Sequence, residues 1–338
     1  MEGQEPSDAV FRALAKAEDL VSRLDERVRA CPWKAGFVAR LDFAEALAWG
    51  WSSGQIVGVE DLMLHDAEMD VRTPHQALGA VHGLVRARRK AAGGGLELFS
   101  PQGAAWLVGL RRRPPIAGAV TVPPTWGQAS GDEPDMLSRL VGQLDRLRAG
   151  ETESVEAALL DGLGLLDRTG RDAPLLLQAA AALEAWMLID PLPRHGYVGP
   201  VLIGQWLRSR KRIGSHVLGL VAGLRAQKRG GREPRDGDAL SRLAWWLKVI
   251  ASAAELELEE LKRVELARQV VERVIGERRA NAHHRDVLAL LLERPLVTAP
   301  LIADRLKISP QSARRLLAEL GSSVVEVSGR SRFRAWRL

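Results

Sequence analysis

The stretch "IDPLPRHGYVGPVLIG" at 189–204 brings several reactive side chains together between two apolar runs. It contains the carboxylate of Asp190, the imidazole of His195 and three glycines. A histidine within reach of a substrate hydroxyl can act as a general base, and glycine lets the backbone approach a phosphate closely. The composition is typical of an active-site loop, of a degenerate form of one, or of a turn between two core helices.

The order of residues in this stretch resembles the signature "HPFxDGNGRxGR" of the Fic family of nucleotidyl-transferring enzymes, which joins two helices. Asp190-Pro191-Leu192 resembles the His-Pro-Phe of that signature. Gly199-Pro200-Val201-Leu202 resembles the start of the family's next helix, and one residue is missing between the two halves. The resemblance implies a Fic-like helical body around this loop.

The residues that carry Fic chemistry are not preserved. Asp190 stands at the position of the catalytic histidine, and Arg194 stands near that of the metal-binding acid. No arginine occupies the phosphate-binding positions, which hold Tyr197, Val198 and Pro200. His195 is either a relocated base or a structural histidine. We therefore expect a catalytically degenerate loop, formed by Asp190, Pro191, Leu192, His195 and Gly199, with no catalytic residue, no metal and no cofactor.

An upstream segment is consistent with this interpretation. Many Fic proteins carry a regulatory Ser-x-x-x-Glu-Gly, and "SSGQIVG" places Ser53 and Gly58 in the same register. Val57 stands where the inhibitory glutamate would be. An inactive enzyme needs no inhibitor, so the absence of the inhibitory glutamate agrees with the absence of the catalytic residues.

The segment 297–320 predicts a helix-turn-helix. Thr298 is placed to cap a helix over 299–306, and Ser309 to cap a second helix whose first residue is Pro310. Only Lys307-Ile308-Ser309 separates the two, which is the spacing of a DNA-binding helix pair. In such a pair the second helix enters the major groove.

Two short extended pieces, "VVEVS" and "RFRAW", follow around Ser328-Gly329-Arg330 and predict a basic hairpin, the wing of a winged helix. The second helix supplies the predicted base-reading side chains, Gln311, Ser312, Arg314 and Arg315. The predicted DNA-backbone contacts are Lys307, Ser309, Arg330, Arg332 and Arg334. Winged helices also serve as protein-contact modules, and this alternative stays open.

The distribution of charge favours a polyanion as the partner of this module. The chain has a net charge of +6, and residues 283–338 contribute +5 of it, from ten Lys or Arg and five Asp or Glu. The other 282 residues contribute +1. Such asymmetry is typical of a nucleic-acid-binding tail on a neutral body.

Helical periodicity extends over most of the 338 residues and predicts a mainly α protein. Four regions follow: an N-terminal helical region at 1–110, a Pro/Gly-rich linker or long loop at 111–135, a Fic-like helical core at 136–282 and the winged helix-turn-helix at 283–338. Residues 52–74 look turn-rich, and His283-His284 looks like a solvated helix start. The single cysteine excludes a disulfide framework.

The N-terminus lacks a signal sequence, and the most apolar window is 16 residues long, which predicts a cytoplasmic protein without a membrane span. The chain as a whole resembles uncharacterised, often plasmid-borne proteins of rhizobia that pair a domain of unknown function with a C-terminal helix-turn-helix. The phrases "RLDERVRACPWKAGFVAR", "DPLPR" and "GRSRFRAW" carry this resemblance.

These observations together predict a DNA-binding protein, either a transcriptional regulator or a plasmid-function protein. A single helix-turn-helix reads only a half-site, so we expect a homodimer on double-stranded DNA. Two other classes stay open: a divergent Fic-type nucleotidyl transferase with an altered loop, and a protein-interaction scaffold.

Overall fold

The computed structural model describes residues 6–70, 74–110, 173–190, 192–231, 234, 238–277, 282–329 and 334–338. The predicted linker at 111–135 and the first part of the predicted core, through residue 172, lie outside the described residues. Pro191 of the predicted loop and two of the predicted DNA contacts, Arg330 and Arg332, also lie outside them.

The described chain is mainly helical, which confirms the predicted fold class. Its helices are α1 (Pro6–Arg29), α2 (Lys34–Ser52), α3 (Val59–Asp66), α4 (Gln76–Ala92), α5 (Pro101–Leu107), α6 (Leu175–Ile189), α7 (Val198–Ser209), α8 (Leu220–Gly230), α9 (Ala239–Glu277), α10 (Ala282–Glu293), α11 (Ala299–Leu306) and α12 (Pro310–Glu319). Short 3-10 turns lie at Leu96–Leu98 and Pro193–His195. The strands are β1 (Val297–Thr298), β2 (Val325–Glu326) and β3 (Ala335–Arg337).

Helix α3 lies within the segment that we expected to be turn-rich. It begins after Gly58, with Glu60 and Asp61 in its first turn, where acidic side chains complement the helix dipole. Its apolar residues Leu62, Met63 and Leu64 are buried. The helix has only eight residues, so its apolar pattern is too short to identify from periodicity.

The chain forms two compact units, residues 1–25 with 86–255, and residues 26–85 with 256–338. The first unit contains the apolar helix α6, whose residues 176–186 are all buried. The carboxylate of Glu184 in this helix accepts hydrogen bonds from Arg242 Nε and Trp246 Nε1 of α9, each at 2.6 Å. Because a buried charge is stabilised only when it is paired, this contact fixes α6 against α9.

The second unit contains α2, α3, α10, α11, α12 and the three-stranded sheet. Helix α2 crosses the end of α10 at Gly36. A Cβ atom on Gly36 would lie 1.9 Å from the carbonyl oxygen of Leu292, so only glycine permits this approach. The C-terminal module is therefore packed into a larger unit that includes α2.

Among the residues that the structure describes, none of the helices combines the length and the apolar character that crossing a bilayer requires.

Candidate nucleic-acid interface

Helices α11 and α12 begin at the two capping residues that the sequence predicts. The Thr298 hydroxyl accepts a hydrogen bond from Leu301 N at 3.2 Å, and the Ser309 hydroxyl accepts one from Ser312 N at 3.1 Å. Pro310 is the first residue of α12, where its missing N–H costs nothing. These caps fix where each helix starts and hence which of its faces is buried.

The turn between the two helices consists of Lys307, Ile308 and Ser309, as predicted. Lys307 has a left-handed backbone with φ of 55°, and it ends α11. Ile308 N donates to the carbonyl of Ala303 at 3.1 Å, which closes the turn. The Lys307 ammonium is exposed and lies 3.2 Å from Asp304 Oδ1.

The buried face of α12 consists of Ala313, Leu316 and Leu317. The predicted base-reading residues Gln311, Ser312, Arg314 and Arg315 are all exposed. The Ser312 hydroxyl lies 2.9 Å from that of Ser309, so it also takes part in the cap. The other three side chains form a polar, cationic surface on the first two turns of α12. That these residues read bases stays a prediction.

The predicted hairpin is present. Strands β2 and β3 are antiparallel with Val325 opposite Arg337, and β3 lies in the centre of the sheet because it also pairs with β1. Gly329 has a left-handed backbone with φ of 59° near the tip of the hairpin, and Arg334 is exposed at the start of the returning strand.

A histidine from α10 connects the base of the module to α12. His284 Nε2 lies 2.8 Å from Glu319 Oε2, and the other carboxylate oxygen lies 3.3 Å from Arg315 Nε. His284 is 7% exposed, so our prediction of a solvated helix start is wrong at this residue. The pairing joins residues 35 positions apart, and such a separation leaves no local pattern in the sequence.

Arg40 is a second supporting residue that sequence reasoning missed. Its buried guanidinium donates hydrogen bonds to the carbonyls of Leu291 at 2.5 Å, Leu292 at 3.1 Å and Arg294 at 3.1 Å. These carbonyls lie at the C-terminus of α10, where the helix itself provides no donors. Desolvation lowers the pKa of Arg40 to about 10, so the side chain stays charged at neutral pH.

The predicted Fic-like loop lies in the other unit. Asp190 ends α6 in a left-handed conformation with φ of 42°, and its side chain is exposed. Leu192 precedes the 3-10 turn that contains His195. His195 Nδ1 lies 3.4 Å from the hydroxyl of the buried Tyr197. Desolvation, followed by the nearby charge of Arg194, lowers the pKa of His195, while desolvation raises that of Tyr197 to about 12.

Gly199 has a packing role in this loop region. A Cβ atom there would lie 2.4 Å from the indole ring of Trp186, so α7 approaches α6 through the bare backbone of Gly199. Within the described stretches of the chain, no three His, Cys, Asp or Glu side chains are grouped so that they could hold a metal ion. The geometry thus provides a turn between two core helices and places one half-buried histidine on it.

Residues 285–338 match the family described as an HTH DNA binding domain, and residues 156–276 match a protein family of unknown function, DUF1612. The class that the fold and site define is therefore a helical body with a C-terminal DNA-binding domain. The chain is 29% identical over 371 residues to an uncharacterized protein, y4cF, of Sinorhizobium fredii (strain NBRC 101917 / NGR234). The match covers 97% of this chain and 96% of that one, and it confirms the resemblance to rhizobial proteins.

A solved structure is also similar to the chain. It is a Fic family protein from Desulfovibrio desulfuricans G20, with 13% sequence identity and a TM-score of 0.48, and the similarity covers 98% of this chain and 95% of that one. The Fic-like character of the body nevertheless stays a prediction that rests on the loop residues.

Proposed function

We propose that this protein is a sequence-specific DNA-binding protein, a transcriptional regulator or a protein of plasmid function, that reads bases with α12. One observation carries the proposal: the exposed face of α12 presents Gln311, Arg314 and Arg315 from a capped helix within the matched HTH domain. Arginine can donate two hydrogen bonds to guanine, and glutamine can pair with adenine in the same way. The groups therefore suit direct readout in the major groove.

The backbone contacts in this proposal come from the edges of the module. Lys307 and Ser309 lie at the turn before α12, and Arg334 lies on the wing. The cations Lys307 and Arg334 and the hydroxyl of Ser309 suit phosphates, which are bound without reading sequence, and such contacts would set the position of α12 on the duplex. Arg330 and Arg332 belong to the same predicted set.

We further propose that the body is a catalytically degenerate Fic-like domain in a cytoplasmic homodimer. The half-buried His195 and the packing of Gly199 on Trp186 support a structural role for the loop. The dimer is expected because two half-sites double the contacts to DNA. Sedimentation equilibrium at micromolar concentration should give twice the chain mass of 37.0 kDa, and a monomer mass contradicts the dimer.

Selection of binding sites from a random duplex library by the full chain tests the DNA-reading role. We expect one enriched sequence motif. Arg315→Ala should relax the preference at one or two base positions by about 1–3 kcal/mol, because a bidentate contact to one base is lost. Arg285→Ala is the matched control, since it removes one exposed charge from α10.

Two outcomes contradict parts of this proposal. A library without an enriched motif contradicts sequence-specific binding. An equal loss of affinity for all sequences in Arg315→Ala shows that Arg315 contacts a phosphate and does not read a base.

A further inference from the structure

The second half of α9 carries two apolar side chains on an exposed face. Leu266 is 51% exposed, and Val270, one helical turn further on, is 44% exposed. Leu261, Val264 and Val271 on the opposite face are buried. Residues from 256 onward belong to the second compact unit, which also contains the C-terminal module. This part of α9 is therefore anchored in that unit by one face, while the other face departs from the polar pattern of a surface helix.

The exposed residues around Leu266 form one narrow stripe. Residues at steps of three and four lie on the same side of an α-helix. The exposed residues at this spacing are Glu259, Lys262, Leu266, Val270 and Arg273, which we call the α9 stripe. At 1.5 Å per residue the stripe is about 21 Å long. It is symmetrical about Leu266, because its other members lie four and seven residues away in each direction.

The charges of the stripe differ from those beside it in how they are paired. The neighbouring charges of α9 pair with each other along the helix; these pairs are Arg263 with Glu260, and Arg268 with Glu265 and Glu272. Within the part of the chain that the structure describes, Glu259, Lys262 and Arg273 form no ion pair. The stripe thus has an acid near one end, a base at the other and an apolar centre.

This arrangement is complementary to a second copy of itself in the antiparallel direction. If Leu266 packs on Leu266 of a second copy, Glu259 of each chain lies opposite Arg273 of the other. Val270 then lies beside Lys262 of the other chain, whose aliphatic stem can cover apolar surface. A parallel pair would instead place each charge of the stripe opposite the same charge, and like charges facing each other oppose association.

We infer that the α9 stripe is the surface through which two copies of this chain associate, as an antiparallel helix pair around a two-fold axis at Leu266. The inference rests on the proposed function, because it provides the interface of the homodimer proposed there. A two-fold interface is formed by the same patch on both copies, as this one is. The stripe and the HTH module lie in the same compact unit, so the axis that relates the stripes also relates the two modules, as paired half-sites on DNA require.

Reversal of charge at the ends of the stripe tests the pairing in the full chain. Glu259→Arg places cations opposite each other, and Arg273→Glu places acids opposite each other. Sedimentation equilibrium over a range of concentrations should show a dimer dissociation constant raised about tenfold or more in each single variant, and restored to within about threefold of the wild type in Glu259→Arg/Arg273→Glu. Glu26→Arg, at an exposed position of α1, is the control for net charge.

A second variant tests the apolar centre. Leu266→Glu places two carboxylates on the two-fold axis and should leave a monomer at concentrations where the wild type is a dimer. The far-UV circular dichroism of this exposed variant should equal that of the wild type, because Leu266 is not part of the core.

The outcomes separate this inference from the proposed function. If the wild type is a dimer and the single variants or Leu266→Glu dimerise equally tightly, the stripe is not the interface and the inference is overturned. Failure of the double variant to recover, or an equal effect of Glu26→Arg, also overturns it. If the wild type is a monomer at micromolar concentration, the proposed homodimer fails first, and site selection still decides the base-reading role of α12 on its own.

Discussion

The carboxylate of Glu319 lies 3.3 Å from Nε of Arg315, one helical turn earlier on α12. Arg315 is one of the residues that we propose to read bases, and this contact lies at its guanidinium group. The other oxygen of the same carboxylate lies 2.8 Å from Nε2 of the buried His284. A chain of three side chains thus extends from the inside of the module to its exposed face.

Glu319→Gln should reduce sequence discrimination. The substitution weakens the hold on Arg315, and it removes a negative charge near the DNA. Because an exposed pair at this spacing contributes less than about 1 kcal/mol, the ratio of affinities for selected and scrambled duplexes should fall about two- to fivefold, with affinity for the scrambled duplex rising. Titrations of the selected and the scrambled duplex at one salt concentration measure both affinities. An unchanged ratio, or the same change in the control Glu26→Gln, argues against this orienting role.

Gly36→Ala should destabilise the unit that contains the module. The new methyl group would lie 1.9 Å from the carbonyl of Leu292, a distance that no relaxation of a flexible side chain can relieve. Overpacking of this kind costs about 1–3 kcal/mol in the free energy of unfolding, measured by urea denaturation. Gly79→Ala on α4 is the control, since its methyl group meets nothing within 4 Å and should stabilise the helix. Equal stability of the two variants would contradict the close approach.

Arg40→Met should lower the free energy of unfolding by about 2–4 kcal/mol. The side chain keeps its apolar stem but leaves the carbonyls of Leu291 and Leu292 without their donor, and hydrogen bonds from a charged group are worth about 1.5–3 kcal/mol each. Urea denaturation of the full chain checks this. Arg12→Met, at an exposed position of α1, should have little effect. A loss below 0.5 kcal/mol for Arg40→Met, on the order of an ordinary surface substitution, is the contradicting outcome.

His195→Gln should reduce the loss of stability in acid. The pKa of His195 is lowered in the folded protein, so between its ordinary value near 6.5 and the folded value the unfolded chain binds more protons. Its neutral form therefore favours folding above pH 6.5, and this contribution is lost as the pH falls through the folded pKa. The difference in Tm between pH 7 and pH 5 should be smaller in the variant. An identical difference contradicts a half-buried, structural histidine.

Features encoded by neighbouring residues were predictable. The caps Thr298 and Ser309, the three-residue turn and the wing follow from local rules about helix starts and hairpins, and the structure confirms their positions. The mainly helical fold follows from periodicity in the same way. These signals depend on residues a few positions apart, which a single sequence shows directly.

Contacts between distant residues could not be predicted. Arg40 caps a helix about 250 positions away, and Gly36 matters only because Leu292 lies against it. The pairing of His284 with Glu319 has the same origin, because folding brings together side chains that lie 35 positions apart in the sequence. The phrase "CPWKAGFVAR", which carries part of the resemblance to rhizobial proteins, contains both Gly36 and Arg40. The resemblance does not explain what either residue does in the fold.

The most direct test of the central claim is a titration of fluorescent mixed-sequence duplex DNA with the full chain and with Arg314→Ala/Arg315→Ala, at two salt concentrations. We predict that the wild type binds the duplex and that its affinity falls steeply with salt. The slope of log affinity against log salt should be about −3.6 per protomer or steeper if Lys307 and the wing arginines Arg330, Arg332 and Arg334 each displace one counterion. The double variant should bind more weakly at both concentrations. Absence of duplex binding by the wild type at low salt would contradict the account and leave the winged helix as a protein-contact module.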